Sequence, residues 1–292
     1  MTEKYTKRQH YIPQFYLKRF TDEEGYLHVY DMENKKYFHT APINFGCENN
    51  LYETPISTPN KLGEQFLLRN DIENTFARYE GEFASFLNRL DHICTRDQNP
   101  NALILDKEEK EILYRLIANL LFRHPYMMDY MQLDNAEKVD SDFIEIIDNI
   151  LKYIPICTTS ELIEAAAKKT MLTEELENNN ILQFVDSIRK LHFMFIYSAS
   201  DHFITSSFPI TIGEDKTILD KEKTCIHFTL SPSLSVMIGN YNEIEKLHNH
   251  MVVIHNNQII QAFNNQKLKP ILDHKTYIVA SAKEDLMRCF ES

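Results

Sequence analysis

Lys7–Phe20 reads KRQHYIPQFYLKRF: it holds two basic pairs, Lys7-Arg8 and Lys18-Arg19, with one histidine, one proline and four aromatic rings. The pattern shows neither the alternation of a strand nor the three-to-four spacing of a helix. Pro13 divides it, because a residue that precedes proline is pushed away from helical angles. Before the break, Arg8, Gln9 and His10 gather donors and one titratable ring, which suits the wall of a cleft. After it, Phe15, Tyr16 and Phe20 read as packing that anchors the start of the chain.

Composition narrows the classes. The 292 residues carry a net charge of −12, which opposes broad binding to nucleic acid, where clustered cations must displace counterions. The segment with Lys4, Lys7, Arg8, Lys18 and Arg19 is a basic exception on an acidic chain. With 6 glycines and no G-x-G-x-x-G or Walker-type loop, dinucleotide folds and P-loop hydrolysis have no support. The 5 cysteines (Cys47, Cys94, Cys157, Cys225 and Cys289) form no C-x-x-C pair, so a disulfide framework or zinc ribbon is not expected. A reducing cytoplasm fits that usage. The first twenty residues lack the apolar run of a signal peptide, and no stretch is long and apolar enough for a membrane span.

Outward from the opening stretch, GYLHVYDMENKKYFHT predicts a β-hairpin and APINFGCENNLYE a loop. A helical region is expected from near Gly63. Ile72, Phe76, Tyr79, Phe83, Phe86 and Leu90 step by four and three along one amphipathic helix. Asp106 caps a second helix, and His124-Pro125 ends or kinks it. Further helices are expected at 137–153, 159–169 and 173–191. LHFMFIYSA and HFITSS read as adjacent strands joined at Ser200-Asp201. TCIHFTLSP and LSVMIG read as a second pair, and NEIEKLHNHMVVIHNNQIIQAF as one helix with Asn242 near its cap. KTYIVAS and AKEDLMRCF give a last strand and helix. The expectation is an α+β fold, with an N-terminal β-hairpin region and C-terminal antiparallel strands packed with a central helical bundle. One compact domain over 1–292 is expected, with a motif and hairpin at 7–55, helices at 63–191 and a mixed region at 192–292.

Chemistry-bearing residues are scattered. Arg123 falls three after Leu120 and seven after Leu116, on or beside a buried stripe, so it needs a partner. Glu73 and Glu80, seven apart, share a helix edge and supply carboxylates. Two readings stand: a structural Arg–Glu bridge between helices, or an anion clamp with a general base nearby. His10 is either a proton shuttle or a half-buried ring bonded to backbone. Glu48 sits in a polar loop with Cys47, Asn49, Asn50 and Tyr52. His248-Asn249-His250 does not read as a nuclease motif, since residues two apart on a helix point away from each other. Thr205-Ser206-Ser207 lacks a nucleophile elbow.

QHYIPQFYLKRF, GYLHVYD and NFGCENNLYE, in this order and spacing, resemble the start of a bacterial family called domain of unknown function 4238. IENTFARYE, FRHP, FITSSFPI and FTLSPS resemble its later blocks, so the likeness spans roughly residues 7 to 280. The resemblance marks Gln9, His10, Pro13, Tyr16, Glu48, Tyr52, Glu73, Arg123, Ser206 and Pro209 and implies no particular activity. Where the family shows TSDNP, this chain has Ser207 in place of the Asp. That shifts weight to His10, Glu48, Glu73 and Arg123. The types present suit an enzyme acting on a phosphate-containing substrate, nuclease-like, in an antiphage or toxin setting. In that reading His10, Glu48 and Glu73 are catalytic. Arg8, Gln9, Arg123 and Ser206 hold the substrate, a nucleic acid or nucleotide, and a divalent metal is the cofactor such chemistry calls for. The alternative is a non-catalytic ligand- or protein-binding or sensor subunit, with aromatic residues shaping its surface.

Overall fold

A computed structural model describes residues 5–57, 65–67, 69–96, 104–135, 141–153, 156–175, 179–200, 202–212, 225–268 and 275–290. The opening stretch forms β1 (Arg8–His10), breaks at Ile12-Pro13, and continues as the short helix α1 (Gln14–Leu17) and one 3₁₀ turn. The hairpin follows as β2 (Leu27–Asp31) and β3 (Lys36–Thr40), and then come β4 (Cys47–Asn49), β5 (Thr54–Pro55) and β6 (Phe66–Leu67). The helical middle comprises α2 (Asp71–Arg96), α3 (Lys107–Phe122), α4 (Pro125–Asn135), α5 (Ser141–Tyr153), α6 (Thr159–Leu172) and α7 (Asn180–Ile188). The remainder is β7 (His192–Ser198), β8 (Thr205–Ser206), β9 (Ile210–Ile212), β10 (Cys225–Ser231), β11 (Leu234–Gly239), α8 (Asn242–Lys246), β12 (Met251–Ile254), α9 (Asn257–Lys267), β13 (Tyr277–Ala280) and α10 (Lys283–Phe290).

The fold is α+β. A five-stranded sheet runs β12-β7-β11-β10-β9, and a four-stranded sheet runs β3-β2-β13-β8. Two small ladders, β1-β4 and β5-β6, complete the pairing. Only β12-β7 is parallel among these. The spacing of Phe76, Phe83, Phe86 and Leu90 buries one face of α2, as read from the sequence. Asp106 closes a capping box with Glu109 at the start of α3. The chain turns at His124, and Pro125 opens α4, where its missing N–H costs nothing.

Several expectations need correction. His192–Ser198 and Thr205–Ser206 are not partners: β7 lies inside the five-stranded sheet and β8 pairs β13 in the other. The segment from Asn242 is not one helix. Helix α8 ends at Lys246, the chain turns through Asn249 with a positive φ of 59°, and Met251-Val252-Val253-Ile254 then lies parallel to β7. Asn256 caps a fresh helix by accepting the Gln258 amide. His248-Asn249-His250 is therefore a turn, whose histidine Nδ1 atoms bond backbone at Phe193 and His248. The loop APINFGCENNLYE contains β4, which pairs β1. The helix expected at 173–191 is shorter, since Thr173 ends α6 and α7 starts at Asn180. Gly63, Cys94's surroundings and residues 137–140 and 176–178 lie outside the described residues or side chains.

One buried cluster runs from Ile12 and Phe20 through Phe83 and Leu116 to Phe228, Val236 and Val279, joining the opening stretch, the helices and both larger sheets. Tyr16 is the clearest tie. Its hydroxyl donates to the Thr229 carbonyl at 2.7 Å, so it must accept from Thr205 Oγ1, also at 2.7 Å. Thr205 belongs to β8 and Thr229 to β10, so one phenol links the two sheets. Arg19 extends the tie, with Nε on the Leu230 carbonyl and Nη2 on Leu87 and Asp91 of α2. Tyr16→Phe keeps the ring and leaves both partners unpaired, so a loss of about 1–3 kcal/mol is expected in urea unfolding. An unchanged midpoint would remove the tie.

Candidate functional site

The site begins with a backbone constraint. Gly46 has a φ of +62°, and a Cβ there would lie 2.9 Å from the Ile12 Cβ. Its carbonyl accepts from the amides of Tyr11 and Ile12, at 2.8 and 3.1 Å. Glycine is required for this close approach. It lets β1 and β4 pair with Gln9 against Glu48 and His10 against Cys47.

Behind the ladder is a buried polar web. Gln9 is wholly buried, with Nε2 donating to Glu53 Oε1 at 2.6 Å and Oε1 accepting the Tyr52 amide at 2.8 Å. Arg123, the C-terminal cap of α3, is 1% exposed. Its Nη2 donates to the His10 carbonyl at 2.9 Å, and its Nη1 donates to Glu80 Oε1 at 2.9 Å and Asn119 Oδ1 at 3.3 Å. The guanidinium carbon stands 4.0 Å from the centre of the Phe76 ring. The Tyr52 hydroxyl donates to the same His10 carbonyl at 3.1 Å. Glu73 completes the web, with Oε2 buried and without a hydrogen bond among the described residues. Burial pushes its carboxyl up to about 7, Arg123 opposing and Glu80 and Glu53 reinforcing.

In front of the ladder is a cleft of about 450 Å³, lined by Tyr11, Phe38, Glu48, His124, Lys275 and Tyr277 among others. Tyr11 and His124 meet edge to face, ring centres 5.1 Å apart. The Tyr126 amide donates to His124 Nδ1 at 3.1 Å, which places the neutral ring's proton on Nε2. Burial pushes the Tyr11 phenol up, and Glu48 beside it adds to this, so Tyr11 remains a donor. Glu48 is exposed. Asn44 and Cys47 also line the cleft, and Arg8 donates to both, to Asn44 Oδ1 and Cys47 Sγ at 3.0 Å each.

The expected site residues therefore separate. Gln9, the His10 carbonyl, Glu73 and Arg123 converge, but in a closed web, and the Arg–Glu bridge between helices is the reading that the geometry matches. The His10 ring is turned to backbone, Nε2 lying 3.3 Å from the Ile43 carbonyl. Burial lowers its pKa against that bond, and Arg123 and Arg8 lower it further. Glu48 stays at the cleft, and Arg8 stands behind it on Asn44 and Cys47. Ser206 folds onto its own turn, donating to the Phe208 carbonyl at 2.6 Å, and so sets the Phe208 ring 5.0 Å from His124. Ser207 accepts the Tyr277 amide at 3.1 Å, a structural duty. His124, Lys275 and Tyr277 are among the cleft residues that sequence reading did not single out. His124 was visible only as the residue before a proline. Among the described residues no group of three or more His, Cys, Asp or Glu side chains is arranged to hold a metal, and no helix is long and apolar enough to cross a membrane.

An α+β chain with a polar web behind an aromatic cleft is a class shared by many activities. The chain belongs to the family described as protein of unknown function DUF4238, whose sequence model matches residues 8–280. No curated protein and no solved structure matches it.

Two outcomes follow from the web. Arg123→Met takes one of the two donors from the His10 carbonyl, the Tyr52 hydroxyl remaining, and leaves Glu80 without its guanidinium partner. A loss of about 3 kcal/mol is expected in urea unfolding, with Arg123→Lys recovering only part. Glu73 has a folded pKa above its ordinary 4.5. Its stabilising contribution is thus full below pH 4.5 and lost as pH rises through about 7. Relative to Glu73→Gln, the wild type should lose on the order of 2–3 kcal/mol between pH 5 and 8. Parallel stability curves for the two proteins would contradict this.

Proposed function

We propose that this protein is an enzyme acting on a nucleotide-sized, phosphate-bearing molecule held in the cleft between Tyr11 and Tyr277. The observation that carries the reading is a cleft of about 450 Å³ that sets the Glu48 carboxylate and the Lys275 ammonium among the rings of Tyr11, Phe38, His124 and Tyr277. That volume suits one small ligand. Flat aromatic walls suit a planar ring. Lys275 meets the anionic group, and Arg8 stands one hydrogen bond behind Asn44 and Cys47 to reinforce it. Glu48 is the candidate general base, and the Tyr11 phenol is a donor for developing charge. The net charge of −12 argues for a small ligand over a nucleic-acid polymer. His10, Glu73 and Arg123 enter this reading as positioning residues, because their polar atoms are engaged in the web or buried behind the cleft.

The test is titration calorimetry with adenosine 5′-monophosphate, guanosine 5′-monophosphate and inorganic phosphate, together with hydrolysis assays on nucleotides and on RNA and DNA with and without Mg²⁺. Saturable binding of a nucleotide is expected, weakened about tenfold by Lys275→Met, one tenfold step being about 1.4 kcal/mol. Glu48→Gln should keep binding and lose turnover. Failure of every probe to bind, or turnover untouched by Glu48→Gln, would remove the reading.

A further inference from the structure

Helix α5 packs only part of its surface on the protein. Ile147 is buried, and Ile144 and Leu151 are half-buried beside it. On another face Ile146, Ile150 and Tyr153, spaced by four and three, are 57%, 54% and 88% exposed, and Ile156 just beyond the helix is 44% exposed. Such spacing puts the three on one stripe. Together the four expose about 400–500 Å² of side chain, as large as the biggest apolar patch of a typical monomer. Isolated exposed apolar residues need no explanation, whereas a continuous stripe does.

The charges beside the stripe indicate what covers it. Asp142 and Glu145 stand exposed near the N-terminal end of α5, and Lys152 near its C-terminal end. Glu145 and Lys152 are seven apart, so they share the same edge of the helix. Acid at one end and base at the other is the arrangement that matches itself when reversed. The acidic residues also oppose docking on an anionic lipid surface, which recruits helices through lysine and arginine.

We propose that α5 is the contact between two copies of this chain, related by a two-fold axis across antiparallel α5 helices. Ile146 then lies over Ile150 of the second copy, and Glu145 faces Lys152 of the second copy on both sides of the axis. Such a closed, self-complementary contact needs no second type of surface. Counting both copies, about 900 Å² is removed from water, below the size of standard stable interfaces. The dimer is therefore a weak one, in exchange with monomer.

Sedimentation equilibrium of the full chain from micromolar to submillimolar concentration reads this directly. A concentration-dependent monomer–dimer equilibrium is expected for the wild type. Ile150→Asp should raise the dissociation constant at least about tenfold, as for a central apolar contact. Its side chain is exposed, so circular dichroism should show an unchanged fold. Glu145→Lys should weaken the dimer, and adding Lys152→Glu should restore it to within about threefold, as a coupled pair requires. A wild type that is monomeric throughout, or a dimer indifferent to Ile150→Asp, would overturn the proposal. A dimer lost in Ile150→Asp but not restored by the charge exchange would overturn the antiparallel arrangement.

Discussion

A guanidinium taken out of water must be given partners, and the way Arg123 obtains them sets the geometry of the whole site. Its donors reach α2 at Glu80 and the β1 backbone at His10, while its carbon chain stays in α3 and its face rests on Phe76. An isolated buried charge would cost several kcal/mol, so these contacts are obligatory once the helices pack. Their consequence lies one residue along in each segment. Tyr11 follows His10 and His124 follows Arg123, and the anchored pair presents these two rings to each other across the cleft wall. The web behind and the cleft in front are thus the two sides of one constraint.

The web is also where the protein holds unspent polarity. Arg123 Nε and Glu73 Oε2 are both buried and lack hydrogen bonds among the described residues. A carboxyl kept there near neutrality, rather than a full ion pair, limits the desolvation cost of adding a third acid beside Glu80 and Glu53. The same reasoning explains why Tyr16, with one hydroxyl and no charge, serves as the tie between the two larger sheets: it donates one hydrogen bond and accepts one.

The long helices were legible in the sequence because their signals are local. The four-and-three stripe of α2, the Asp106 cap and Pro125 each act within a turn or two. The hairpin of β2 and β3 was legible for the same reason, its partners being adjacent in the chain. The pairing of β1 with β4 was not, since three-residue strands show no alternation and their contact spans about forty residues. The β7–β8 expectation failed because neighbouring strands were assumed to pair, while Tyr16 and β13 draw Thr205 into the other sheet. In the region from Asn242, polar residues at helical spacing concealed the β-branched core of β12, and only the left-handed Asn249 reveals the break. The site residues were legible as types, not as roles. Arg123 was singled out as needing a partner, and it finds Glu80 and the His10 carbonyl, whereas the His10 ring turns to the Ile43 carbonyl and Glu73 Oε2 is buried without a hydrogen bond among the described residues. His124 and Lys275 gave no local signal, because what distinguishes them is the cleft that distant segments enclose.

The most direct measurement is a crystal structure of the protein with adenosine 5′-monophosphate bound. The result expected is a ligand in the cleft, its ring between Tyr11 and Tyr277 and its phosphate at Lys275, with the Arg123–His10 and Arg123–Glu80 bonds undisturbed. A ligand lodged elsewhere, or one that opens the web and binds Arg123 or Glu73 directly, would contradict the division between a structural web and a working cleft.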